Sequence, residues 1–79
     1  GNESNVFDFT MYPNPVNNML NVKLQDTRSA QFTIKNMLGQ TVNKGNLSSA
    51  INVSALNSGI YLLEVNDGQK SMTKKFIKQ

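Results

Sequence analysis

The stretch Met11-Tyr12-Pro13-Asn14-Pro15-Val16-Asn17-Asn18 decides how the rest of this chain is read. Each proline fixes its own φ, removes an N–H donor and pushes the residue before it into an extended conformation. A chain leaving Phe7–Tyr12 must therefore turn a rigid polar corner before Met19, as at the edge of a β-sandwich. On both sides of that corner the apolar residues recur at a period of two. Phe7, Phe9 and Met11 alternate before it; Leu20, Val22 and Leu24 follow, then Phe32 and Ile34, then Tyr61, Leu63 and Val65. Each set fits a strand with one buried and one wet face. No helical stripe competes with this pattern.

Turn-forming residues punctuate the alternation at 13–18, 25–29, 37–40, 44–46, 55–59 and 66–69. The predicted strands are therefore Val6–Tyr12, Met19–Leu24, Gln31–Lys35, Thr41–Asn46, Ala50–Val53, Ile60–Asn66 and Lys70–Ile77. Asp67-Gly68 supplies the positive-φ pair of a two-residue hairpin turn. That turn sets Leu63 opposite Met72, Val65 opposite Lys70, and Tyr61 opposite the alkyl stem of Lys74. Gly39 reads as the left-handed residue that re-aims the chain into Thr41-Val42. Ile51 and Val53 suit a strand crossing between sheets, with Leu56 plugging the end of the core. Seven short strands at this spacing predict an all-β, two-sheet antiparallel sandwich of immunoglobulin-like type.

Seventy-nine residues allow one domain with a single small core. Cysteine and histidine are both absent, which removes disulfides, thiolate zinc sites, the usual general base and a Ser-His-Asp device. The five acids, Glu3, Asp8, Asp26, Glu64 and Asp67, are scattered through tail, turns and strand. No catalytic residue, metal ligand or cofactor is expected, and an enzymatic role is not. Three Asn-x-Ser tripeptides begin at Asn2, Asn46 and Asn52. With twelve Asn and twelve Ser or Thr, roughly two such matches arise by chance, so they carry no signal.

The longest apolar run, Ile60-Tyr61-Leu62-Leu63, is far below the ~18 residues of a membrane span, so no membrane insertion is expected. Residues 1–6 lack the charged and apolar regions of a secretory leader and read as a linker or cloning remnant from upstream cargo. Residues 7–79 form the domain. Lys70, Lys74, Lys75 and Lys78 crowd the C-terminus. Without stacking aromatics they do not make a nucleic-acid stripe, and read instead as an edge strand kept soluble by charge. Such an edge is also able to add to a partner's sheet.

Taken in order, five pieces carry a resemblance. They are Tyr12-Pro13-Asn14-Pro15, Gly39-Gln40-Thr41-Val42, Ile51-Asn52-Val53-Ser54-Ala55-Leu56, Ser58-Gly59-Ile60-Tyr61 and Lys74-Lys75-Phe76-Ile77-Lys78. The chain resembles the type A C-terminal sorting domain of cargo proteins of the type IX secretion system of Bacteroidetes-type bacteria, over about residues 9–79. The resemblance implies an address label that carries an upstream cargo, attached in cis, through the periplasm to the cell surface or medium. It implies as partners the outer-membrane translocon, a shuttle protein and a surface sortase that removes the domain by a cut near or before residues 1–6. The recognised residues it implies are Tyr12, Pro13, Asn14, Pro15, Gly39, Gly59, Tyr61, Lys74, Lys75, Phe76 and Lys78. Loss of residues 74–79 is expected to abolish delivery. Two other roles suit a small sandwich: a carbohydrate-binding module, disfavoured by the absence of tryptophan, and a fibronectin-like spacer in a secreted enzyme. Oligomeric state is not legible.

Overall fold

The computed structural model describes residues 8–24 and 29–79. They form seven strands and no helix: β1 (Phe9–Tyr12), β2 (Met19–Leu24), β3 (Gln31–Asn36), β4 (Thr41–Asn46), β5 (Ala50–Asn52), β6 (Gly59–Asn66) and β7 (Ser71–Lys78). The order is β1-β2-β5 in one sheet and β4-β3-β6-β7 in the other, all neighbours antiparallel. This is the predicted seven-strand sandwich. The part of the first predicted strand at Val6 and Phe7, the tail 1–6 and most of the turn 25–29 lie outside the described residues.

The period-two pattern does what it predicts. Phe9 from β1, Leu20 and Val22 from β2, and Ile51 from β5 bury one inner face. Phe32, Ile34, Tyr61, Leu63, Val65 and Phe76 bury the facing one. Val16 and Val53, outside the strands, are fully enclosed, and Met11, Leu24, Leu47, Leu56 and Met72 close the margins of this core. Fully burying side chains of this size contributes about 1.5–3 kcal/mol each before entropy is charged against it.

The last hairpin corrects the expected register. Val65 faces Met72, Leu63 faces Lys74 and Tyr61 faces Phe76, with Asn66 opposite Ser71. The loop is four residues rather than two, because side chains satisfy its amides. Asn66 Oδ1 accepts the Gly68 N–H, and Asp67 Oδ1 accepts those of Gln69 and Lys70. The Asp67 N–H donates to the Lys70 carbonyl at 3.0 Å, and Gly68 alone takes positive φ, 97°. The slip is two residues, so every side chain keeps its face. Only the cross-strand partners change.

The crossing between sheets is likewise made after β5, not within it. Val53 continues the pairing by donating to the Asn18 carbonyl, and Leu56 N–H then closes a turn onto the Val53 carbonyl. Leu56 packs against the core margin, as expected. Gly39 has φ of 86° at the tip of the β3–β4 hairpin. Asn36 staples that tip: its Oδ1 accepts the Leu38 and Gln40 N–H groups, and its Nδ2 donates to Gln40 Oε1.

Candidate recognition site

β7 is an edge strand, but half of that edge is already occupied. Asn14 Oδ1 accepts the Ile77 N–H at 2.9 Å, while its Nδ2 lies 3.5 Å from the Lys75 carbonyl. Val16 N–H donates to the Ile77 carbonyl at 2.8 Å, and Gln79 N–H donates to the Val16 carbonyl at 2.9 Å. Val16 and Lys78 thus form a parallel bridge. The two prolines cannot donate to a ladder, so the Asn14 carboxamide stands in for the missing backbone groups. Both the Tyr12-Pro13 and Asn14-Pro15 bonds are cis. Through the Asn14 and Val16 hydrogen bonds, the corner that begins at Pro13 makes a short clamp on the outer side of β7. The edge expected to be open for docking is closed over Lys75–Gln79.

The Gly59-Ile60-Tyr61 segment enters the same region. Gly59 pairs with Lys78 and Tyr61 with Phe76, and the two rings lie 5.7 Å apart and nearly parallel. Tyr61 Oη donates to the Asn57 carbonyl at 2.8 Å, four residues upstream. This is the tyrosine corner of immunoglobulin-like sandwiches, at the crossing into the sixth strand. It accounts for tyrosine at a buried position: the ring fills the core and the hydroxyl finds a partner. The Gly39 hairpin lies toward the same end of the sheet, since Asn36 pairs with Tyr61.

The terminal lysines divide by direction. Lys74 points inward enough for its Nζ to donate to the Phe9 carbonyl at 2.6 Å and to meet Asp8 Oδ1 at 3.0 Å. It also sits 5.2 Å from the centre of the Phe9 ring. The hydrogen bond from Lys74, then that from the Phe9 N–H, hold the Asp8 carboxyl below its ordinary value. Lys78 is 8% exposed and donates to the Gln79 carbonyl. Lys75 is exposed on the outer face. So Lys74 ties β7 to the start of β1, across the two sheets, while Lys75 faces solvent.

A family model for the secretion system C-terminal sorting domain matches residues 10–79. The chain belongs to that family. No curated protein matches it. As a type IX sorting domain, it directs an attached cargo to the cell surface or the medium. A sorting domain of this kind is a signal and not itself a catalyst.

Within the sorting domain, the motif residues named from sequence separate into two groups. Phe76, Tyr61 and Lys78 are buried, and Tyr12, Pro13, Asn14, Pro15, Gly39 and Lys75 are exposed, with Gly59 and Lys74 half-buried between them. The clamp brings residues 14 and 16 onto residues 75–79, contacts spanning more than sixty positions. Sequence reading missed Val16, which is wholly buried inside what reads as a polar turn. It also missed Asn36 and Asn57, whose roles are hydrogen bonds at turns. An isolated valine between Pro15 and Asn17 was the available signal: an apolar residue in a polar corner has to go somewhere dry.

Proposed function

We propose that the corner made by Tyr12–Pro15 and the end of β7 is the surface that the type IX export machinery reads on this sorting signal. What supports this reading is the convergence of motif pieces remote in sequence: Asn14 on Lys75 and Ile77, and Val16 beside Lys78. Tyr12 stands beside them 56% exposed, its carbonyl accepting from Asn21 Nδ2. An exposed aromatic ring on a proline-fixed backbone is a rigid feature, so a receptor gains contact area with little ordering cost. The direct readers in this proposal are an outer-membrane shuttle protein and the translocon. A surface sortase then cuts near or before residues 1–6, the linker to the upstream cargo, and releases the domain of residues 7–79 as the discarded tag.

The mode of contact in this proposal is docking against a preformed corner rather than strand addition along the whole of β7, because Asn14 and Val16 already use the outward groups of Ile77 and Gln79. The test fuses the domain behind a reporter in a bacterium with a working type IX system. Tyr12→Ala, which removes a mostly exposed ring, should cut delivery severely while lowering the thermal midpoint only slightly. Full delivery of this variant would refute the corner as the surface that is read.

A further inference from the structure

The sheet containing β7 has an outer face whose composition is uneven. Strand register places Lys35, Leu62 and Lys75 in one row across β3, β6 and β7, with Ile60 and Ile77 paired in the next. Ile60 and Ile77 are 44% and 43% exposed, and Leu62 is half-buried. Val42, 40% exposed, lies beside this row on β4, and Met37 and Leu38 stand exposed on the hairpin at the same end. Thus five of the seven large apolar side chains exposed in the described residues gather at one end of one sheet. Isolated exposed apolar residues are ordinary, but a contiguous group marks an interaction surface.

Charge says what covers it. Lys35 and Lys75 bracket Leu62, and Lys44 lies on the same face one row away, against a single acid, Glu64. Among the described residues neither Lys35, Lys44 nor Lys75 has an ion-pair partner. A second copy docked face to face by a two-fold axis would set lysines against lysines, which is disfavoured. The open edge of the same sheet does not offer a clean ladder either. At β4 the register shifts between Ile34 and Lys35, and the Lys44 N–H is taken by Asn43 Oδ1. Side chains rather than backbone are presented here. We infer that this outer face, centred on Ile60, Leu62 and Ile77 and flanked by Lys35 and Lys75, docks a partner protein through an apolar ridge bordered by carboxylates.

This inference rests on the sorting role and adds a second contact surface, next to the Tyr12–Pro15 corner. The experiment uses the complete chain fused to a reporter, with wild type, Ile60→Ser, Lys35→Gln and Lys35→Glu, each checked for an unchanged thermal midpoint. Ile60→Ser is expected to lower delivery by about tenfold, the size of a central contact in a docked interface. Lys35→Glu should lower it more than Lys35→Gln, because reversal adds repulsion where neutralisation only removes attraction. Normal delivery of Ile60→Ser alongside delivered wild type overturns this inference alone, whereas failure of the wild type to be delivered overturns the sorting role itself. Equal effects of Lys35→Glu and Lys35→Gln overturn the acidic character of the partner surface. Two binding controls also decide against it. One is co-sedimentation of the chain with phosphatidylglycerol–phosphatidylcholine vesicles that is lost in Lys35→Glu. The other is a dimer in sedimentation equilibrium that is lost in Ile60→Ser.

Discussion

Single side chains hold the sorting domain's corner together, and each makes a distinct prediction. Asn14 replaces backbone groups that two prolines cannot supply, so Asn14→Ala leaves the Ile77 N–H without its acceptor. Loss of that bond should lower stability by about 1 kcal/mol in urea unfolding. Tyr61→Phe keeps the ring against Phe76 but removes the bond to the Asn57 carbonyl, with a loss of similar size, about 1 kcal/mol, and no change in fold. Gly39→Ala forces a Cβ into the left-handed region, where open space around it gives no steric relief of the backbone penalty, about 1–2 kcal/mol. Asp8 carries the clearest pH signature. Its carboxyl is held below the ordinary aspartate value by Lys74 and then the Phe9 N–H. Its contribution is therefore complete above the unfolded value and fades as pH falls through the lower folded one. Acid titration of Asp8→Asn should show a flatter loss of stability below about pH 4 than wild type, and an identical slope would contradict the Lys74 contact.

At the scale of elements, β7 is both core and clamp. Phe76 is wholly buried and pairs with Tyr61, so removal of residues 74–79 takes away a core aromatic together with the Lys74 tie to Asp8. That truncation should cost at least the ~3–5 kcal/mol of a deleted core aromatic, enough to unfold much of a small sandwich. Circular dichroism of the truncated chain should then show lost strand signal. Abolished delivery by such a truncation would report unfolding as much as lost recognition, which is why exposed substitutions are the sharper probe. The same strand shows what sequence makes legible. Alternation at Tyr61, Leu63 and Val65 reveals which face is buried, because that depends only on local period. The hairpin register depends on how Asn66 and Asp67 side chains divide the loop amides, and two turn lengths of equal parity suit the same alternation. The clamp on β7 was beyond local reading for a different reason: its partners are more than sixty residues apart, and one of them is a side-chain amide.

At the scale of the whole molecule, the sandwich is a folded signal rather than a linear one. Its motif residues are of two kinds, those that make the shape, such as Phe76 and Tyr61, and those the shape displays, such as Tyr12 and Lys75. The five motif pieces were legible because their order is read directly from the chain, and the family match over residues 10–79 agrees with them. Which of them face outward was not, since burial is set by the pairing of two sheets. The most direct measurement is surface delivery of a reporter carrying residues 1–79, compared with the same reporter lacking them, in a type IX-competent bacterium and in its translocon-deficient mutant. Delivery should occur only with the domain present and the translocon intact. Equal delivery without the domain, or in the translocon-deficient cells, would contradict the sorting role.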